Sequence, residues 1–535
     1  MDFSPHKYPY PSRRTLVYGR RGMVATSQPL AAQAGLEIMK AGGNAVDAAI
    51  ATAACLTVTE PTSNGIGGDA FAIIWMENQM HGLNASGPAP MKLSLEALYQ
   101  RGLKEIPVHG PIPITVPGVP AAWASLAEKF GRLPLSVTLQ PAIDYARNGF
   151  PVSPVASEMW QRAFDKAVET YQDPLHKAWF RTFAPKGRPL KAGEIWSSEG
   201  HARTLKSIAN SNAEDFYQGD LAQQIHDFMV EANGFLNKSD LAAYRVRWDD
   251  PLSVNYRGYD VWELPPNGHG LVALMALNIL KQFRLDNRET SDSLHRTMEA
   301  MKLAYSDGKA WISDPDHMPV TSAALLSEIY ARKRSRLIGE TALTPASGTP
   351  AASGTVYLAT ADGEGNMVSY IQSNYMGFGS GLVVPGTGIS LHNRGHNFSM
   401  DPNHPNCVAP GKRPYHTIIP GFLTRNGQPV GPFGVMGGFM QPQGHVQLLS
   451  RIIDYGLNPQ AALDAPRWQW MGGKKFEVEA QLSELTVGDL RNRGHQVIYQ
   501  SDRSSFGRGQ MILKDEVGVL CGATEPRTDG AIAVW

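Results

Sequence analysis

Between Lys333 and Gly354 the chain runs KRSRLIGETALTPASGTPAASG, basic and then small and polar with no apolar periodicity, and at Thr355 it changes abruptly to TVYLATADGEGNMVSYIQSN. The second stretch predicts a hairpin, with β-branched and aromatic residues on two arms joined by a tight Asp362-Gly363 turn. The first predicts an exposed linker. A hydroxyl residue therefore stands at the first position of a strand, directly behind a segment with no core of its own. β-Propensity alone permits a threonine there. A chemical reading is equally available: if Thr355 attacks the Gly354 carbonyl, the chain is cut and Thr355 gains a free α-amino group whose modest pKa makes it a base for its own hydroxyl. Composition leaves both readings open.

At 535 residues, a prior of about 150 residues per domain gives roughly three to four domains. Lys+Arg and Asp+Glu both total 49, so no basic field exists to hold a phosphate backbone or an acidic membrane surface, and nucleic acid is excluded as a partner class. Gly (53) and Pro (38) make the chain turn-rich, without reaching disordered composition. Cys55, Cys407 and Cys521 are far apart with no C-x-x-C; neither a disulfide framework nor a thiolate metal site is expected, and each is read as a small buried hydrophobe. MDFSPHKYPYPSRR lacks the apolar core of a secretory signal, so a cytoplasmic protein is expected. The nearest approach to a membrane span, Ala48 to Val58, is Ala/Thr-rich and ends at Glu60.

Ser27 is placed to cap a helix with Pro29 in its first turn and Gly42-Gly43 at its end; a second helix is expected near Asp47, its Ala48, Ala49, Ala51, Ala53 and Ala54 suited to tight packing. AFAIIWM, residues 70–76, reads as strand. Further helices are expected over 120–130, 140–147, 202–208, 219–232, 272–283, 293–311, 445–455 and 459–465. Helices before and among many short strands suggest stacked layers with sheet inside.

Several motifs fail on context. Gly65-Ile66-Gly67-Gly68-Asp69-Ala70 fits a loose dinucleotide fingerprint, but a strand follows where a helix is required. Ser306-Asp307-Gly308-Lys309 matches S-x-x-K without its partner motifs and reads as a helix end. His392 and His396 have the spacing of a helical metal pair, yet Asn393 and Gly395 favour a loop. No cofactor or metal is expected.

At the Thr355 junction, and in MVATSQPLAAQAGLEIMKAGGNAVDAAIA, NGIGGDAF, VPGVPAAW, LQPAIDYARNGF, YRGYDVWELPP, GFGSG, KRPYHTIIP, Gly437-Gly438 and GATEPRTDGA, the sequence resembles the γ-glutamyltranspeptidase (glutathione hydrolase) family over nearly its whole length. The resemblance implies an N-terminal-nucleophile hydrolase with a four-layer αββα fold, made as a proenzyme cleaved between Gly354 and Thr355 into a large subunit, 1–354, and a small subunit, 355–535. The three-to-four-domain prior then gives way to one layered domain, with 333–354 as its processing linker. The resemblance further implies Thr355 as nucleophile, Ser373 as the hydroxyl that orients it, and Gly437 and Gly438 as backbone donors to the oxyanion.

The family's substrate anchors are replaced. Asn84 stands where the family has an arginine for the α-carboxylate; Tyr375, Arg394 and Asn397 stand at its asparagine, glutamine and aspartate; His416 and Thr417 stand at its paired serines. Charge-assisted hydrogen bonds contribute about 1.5–3 kcal/mol each, so these changes predict poor glutathione turnover. Arg394 offers a fork for a carboxylate, or else makes a structural salt bridge. The expected substrate is a small amide bearing a carboxylate but no α-amino group. Oxamate amidohydrolase and glutaryl-type acylases are the relatives that fit, with a non-catalytic binding or scaffold member as the alternative of another class. The oligomeric state is left open.

Overall fold

A computed structural model describes residues 9–11, 14–285, 289–345 and 354–535. Two seven-stranded sheets lie face to face. One runs in the order Ala531–Val534, Gly22–Thr26, Gly354–Asp362, Met367–Tyr375, Asp69–Met76, Gln79–Ala85, Arg247–Asp249; the other in the order Val17–Gly19, Leu520–Thr524, Arg508–Lys514, Gln428–Met436, Gly421–Arg425, Tyr259–Glu263, Leu252–Tyr256. The central strands of the first sheet are buried on both faces. Along Gly354–Asp362, Val356 and Leu358 join the core beneath helices Pro29–Lys40 and Ala45–Thr59, whereas Tyr357, Ala359 and Ala361 join the core between the sheets. Asp69–Met76 divides the same way, with Ala70, Ala72 and Ile74 outward and Phe71, Ile73 and Trp75 inward. Side chains alternate faces along a strand, so two apolar faces give the nearly continuous apolar runs seen in the sequence.

Helices Gly270–Leu280, Ser291–Trp311 and Gln441–Ile453 supply the core outside the second sheet. The layer order is helix, sheet, sheet, helix, as expected. The hairpin that begins at the proposed cleavage point is central to this arrangement: it pairs with Gly22–Thr26 on one side and Asp69–Met76 on the other. The N-terminal end of helix Ala45–Thr59 docks on it, with the Ala45 N–H donating to Asp362 (3.0 Å) and the Thr360 hydroxyl to the Ala45 carbonyl (2.7 Å).

The helix pair packs as its small residues predict: a Cβ on Gly35 would meet Thr52 Oγ1 at 2.1 Å and the Ala48 carbonyl at 2.9 Å. The first cap differs from expectation. Gln28, not Ser27, is the N-cap and accepts from the Leu30 N–H, because Pro29 itself is the first helical residue. Ser27 instead donates to Glu60 at 2.5 Å. Asn44 caps the second helix reciprocally with Asp47. Ser306 to Lys309 lie within helix Ser291–Trp311, and Cys407 is half-buried rather than fully enclosed.

The expected linker starts too early. Helix Glu328–Ser335 carries Lys333 and Arg334 in its last turn, where cations suit the helix dipole, and Arg334 pairs with Asp307 at 3.0 Å. Beyond it, Ala342 is buried and its N–H donates to the Arg493 carbonyl at 2.7 Å. Residues 346–353 of the expected linker lie outside the described residues. No described helix is long and apolar enough to cross a membrane.

Across the sheet interface Tyr357 lies on Gly434, where an added Cβ would come within 2.4 Å of the ring. Gly434→Ala is expected to destabilise the protein by about 1–3 kcal/mol through overpacking, measurable as a lower thermal midpoint; an unchanged midpoint would mean the layers yield there.

Candidate active site

Thr355 shares the parity of Tyr357, Ala359 and Ala361, so the strand turns it toward the space between the sheets. Opposite it the register slips: Gly354 pairs with Tyr375 but Val356 pairs with Gln372, leaving Ser373 and Asn374 facing the single residue Thr355. This is a β-bulge, a device that re-aims side chains. It sets Thr355 Oγ1 3.1 Å from Ser373 Oγ, both residues fully buried. Ser373 Oγ also accepts from the Tyr375 N–H at 2.7 Å. Tyr375 reaches that position at φ +76°, a left-handed conformation that costs a residue with a side chain about 1–3 kcal/mol. The strain sits two residues from the serine it positions.

Gly437 and Gly438 follow the strand Gln428–Met436 with φ values of +136° and +58°, which glycine adopts freely. Gly438 opens a short 3-10 turn, Gly438–Met440, and the first N–H groups of such a turn have no partner inside it. Gly437 lines a cavity of about 470 Å³ together with Met376 and Gly377, the residues next after Tyr375. The segment that follows the Ser373 strand and Gly437 thus border one space.

The expected substrate residues form a network around an acid that the sequence reading passed over. Asp69 is fully buried at the start of its strand. Its Oδ2 receives Arg394 Nε at 3.1 Å and His416 Nε2 at 2.8 Å, and lies 3.3 Å from His392 Nδ1. His416 Nδ1 accepts from the Ile418 N–H at 3.3 Å, which assigns the ring proton to Nε2 and makes that atom a donor to Asp69. Burial alone would raise the Asp69 pKa; the His392 and His416 contacts outweigh it and hold the carboxyl well below its usual range. Burial and the neighbouring Arg394 push His416 down to about 3, so it is neutral.

Arg394 spends its other donors unevenly. Nη1 donates to Thr417 Oγ1 at 2.7 Å, the guanidinium stacks 4.4 Å from the Tyr375 ring centroid, and Nη2 is buried without a hydrogen-bond partner among the described residues. The Tyr375 hydroxyl donates to Asn397 Oδ1 at 2.5 Å, and Asn397 Nδ2 donates to the Tyr415 carbonyl at 3.0 Å. Tyr375, Arg394, Asn397, His416 and Thr417 are therefore brought together, and Tyr375 ties them to Ser373 two residues before it. Asn84 is differently placed: its amide donates to Asn267 at 3.0 Å and accepts from the Ser86 N–H and hydroxyl, so its hydrogen bonds are absorbed by the scaffold.

The weighed histidine pair separates. His392 faces Asp69, while His396 Nδ1 contacts the Ile106 carbonyl at 2.6 Å from a 3-10 turn. A different buried trio, His295, Glu299 and His495, has metal-ligand geometry. Protein groups already engage it: His295 Nε2 donates to the Gly339 carbonyl (2.8 Å), its Nδ1 accepts from His495 Nε2 (2.8 Å), and Lys302 pairs with Glu299 (2.5 Å). Lys302 and Glu299 also hold the Leu343 carbonyl and N–H, so the trio fastens the segment leading to the junction.

Asp69→Asn removes the carboxylate that pairs with Arg394 and is expected to cost about 3–5 kcal/mol at neutral pH, since a buried cation is left uncompensated. Asp69 has a depressed folded pKa, so its contribution is full above its unfolded value of about 3.9 and is lost as pH falls through the folded value. Thermal unfolding should show the wild-type advantage at pH 7 and a narrowing gap below about pH 4. A constant gap would place the effect elsewhere.

With this geometry in hand, the comparisons are specific. The γ-glutamyltranspeptidase family model matches residues 31–535. The crystal structure of the cephalosporin acylase from Bacillus halodurans is 60% identical, with a TM-score of 0.96 over 100% of this chain and 99% of that one. The glutathione hydrolase-like YwrD proenzyme of Bacillus subtilis is 37% identical over 526 residues, 96% of this chain and 98% of its own. The oxamate amidohydrolase proenzyme of Klebsiella pneumoniae is 34% identical over 525 residues, 96% and 98% respectively. The chain belongs to the γ-glutamyltranspeptidase family of N-terminal-nucleophile hydrolases that act on amide bonds.

Proposed function

We propose that this chain is an autoprocessing threonine amidohydrolase whose substrate carries a carboxylate on the acyl side and no α-amino group, with a glutaryl-type acylase activity as the best reading. One observation carries the specificity. Around Tyr375 and Asn397 there is a spare cationic donor, Arg394 Nη2, but no spare anion: Asp69 is occupied by Arg394 and His416, and the acceptor oxygen of Asn397 is taken by Tyr375. An ammonium in that pocket would lack a counter-charge; a carboxylate would not. The relatives named as acylase and as oxamate amidohydrolase support this direction. Cavity space of about 470 Å³ beside Gly437 favours a larger amide over oxamate.

The chemistry follows from Thr355. In processing, its Oγ1 adds to the Gly354 carbonyl, the C–N bond breaks so that the acyl group passes to Oγ1 as an ester and the Thr355 amine is freed, and water then hydrolyses the ester to the Gly354 carboxylate and the Thr355 hydroxyl. In turnover the free α-amine, with a pKa of about 7.7–8.0, accepts the Oγ1 proton as the oxygen attacks the substrate amide. The Gly437 and Gly438 N–H groups face the developing oxyanion, where losing one such donor typically costs about 10²–10³ in rate. The amine leaves with the proton, and water, or another amine, takes the acyl group from Thr355. The retained arrangement of Thr355, Ser373, Gly437 and Gly438 argues against a purely binding role.

On a denaturing gel the 58.3 kDa chain should resolve into bands near roughly 39 and 20 kDa at about 109 Da per residue, and Thr355→Ala should remain whole. On the processed protein, a glutaryl anilide should exceed its γ-glutamyl counterpart in kcat/KM by about 10-fold or more, the equivalent of one charged contact. Preference for the γ-glutamyl amide would overturn the pocket reading.

A further inference from the structure

Lys309 lies in the last turn of helix Ser291–Trp311 and is half-buried. Its ammonium makes no hydrogen bond or ion pair with the described residues; what it has are two aromatic faces, Phe439 at 5.5 Å and Trp470 at 5.7 Å from the ring centroids. It borders a cavity of about 850 Å³ whose wall includes Leu303, Ser306, Asn397, Phe398, Tyr415 and Phe439. The other charged or titratable groups there are already engaged or neutral. Asp307 pairs with Arg334 at 3.0 Å, His404 Nε2 contacts the Lys309 carbonyl at 3.0 Å, and burial drives the Tyr415 phenol far above its ordinary pKa. The cavity is thus an apolar chamber with one uncompensated cation.

Two of its walls belong to the active site. Asn397 is bonded to Tyr375, which positions Ser373, and Phe439 directly follows Gly438 while also lining the cavity beside Gly437. Arg394 lies against the Tyr375 ring and is fully enclosed. Lys309 lines the same cavity as Asn397.

We propose that Lys309 and this chamber bind the single free carboxylate of acyl groups of glutaryl or adipyl length, with their methylenes against the apolar wall, while the enclosed Arg394 adds positive potential and does not touch the substrate. The inference rests on the acyl-amidase reading and adds the residue that selects chain length. A half-buried ammonium that has no anion in the free protein gains a charge-assisted partner when such a substrate binds. Burial lowers the Lys309 pKa to about 8, so the partner's contribution is present below that pH and is lost as pH rises through it.

The test is a ratio: kcat/KM for the glutaryl anilide divided by that for the uncharged butyryl anilide, in wild type, Lys309→Met and Lys309→Arg. The expected result is at least a tenfold fall of the ratio in the methionine variant, carried by KM, with recovery in the arginine variant, and in wild type a fall as pH passes about 8. An unchanged ratio, or equal loss on both substrates, would overturn the subsite. Calorimetry of free glutarate with the purified protein separates this from the activity reading. If no acyl amide is turned over, glutarate affinity that falls tenfold or more in Lys309→Met still supports the subsite, and affinity equal in the two proteins overturns it.

Discussion

The bulge opposite Thr355 is the constraint on which the site depends. A regular antiparallel pair would set one residue against Thr355; the slip between Gly354–Tyr375 and Val356–Gln372 sets two there and draws the Ser373 hydroxyl to the threonine. Such an irregularity survives in the middle of a sheet because both faces of that sheet are packed and neighbouring strands fix its register on either side. Local strain at Tyr375 is then sustained by the surrounding fold. The same packing explains how a break after Gly354 can be tolerated: strands from before and after it are neighbours in one sheet, so its hydrogen bonds and buried faces hold the two pieces together.

Electrostatics in the pocket follow from a second constraint, the cost of burying charge. Asp69 and Arg394 are both fully enclosed, and each needs the other. Asp69 is saturated by this pairing and by His416, while Arg394 keeps one nitrogen free. Among the described residues, the surroundings of Arg394 therefore keep residual positive character in a chain whose total charge is zero. The proposed selection by charge is local, at Arg394 and at Lys309, and needs no long-range field.

Much of this was legible in the sequence. The Thr355 hairpin stands out because a featureless segment gives way to dense β-formers, and the main helices follow from 3.6-residue apolar spacing and their Gly and Pro boundaries. The family motifs pointed to Thr355, Ser373, Gly437, Gly438 and the positions expected around the substrate. Asp69 was seen only inside a glycine-rich motif, because a lone acid at a strand start has no periodic signal and its partners Arg394 and His416 lie 325 and 347 residues away. Asn84 illustrates the converse: its position matched a substrate anchor, yet its amide is consumed by Ser86 and Asn267, a contact no spacing rule anticipates. Helical order running into Lys333–Ser335 was hidden because its stabilisation comes from Asp307, far along the chain.

In the proposed mechanism Thr355 carries the acyl group. This is tested most directly by mixing the processed protein with a glutaryl anilide, quenching in acid, and mapping the covalent adduct by peptide mass spectrometry. The account predicts a glutaryl ester on a peptide whose free N-terminus is Thr355; an adduct on any other residue, or a small chain beginning elsewhere, would contradict it.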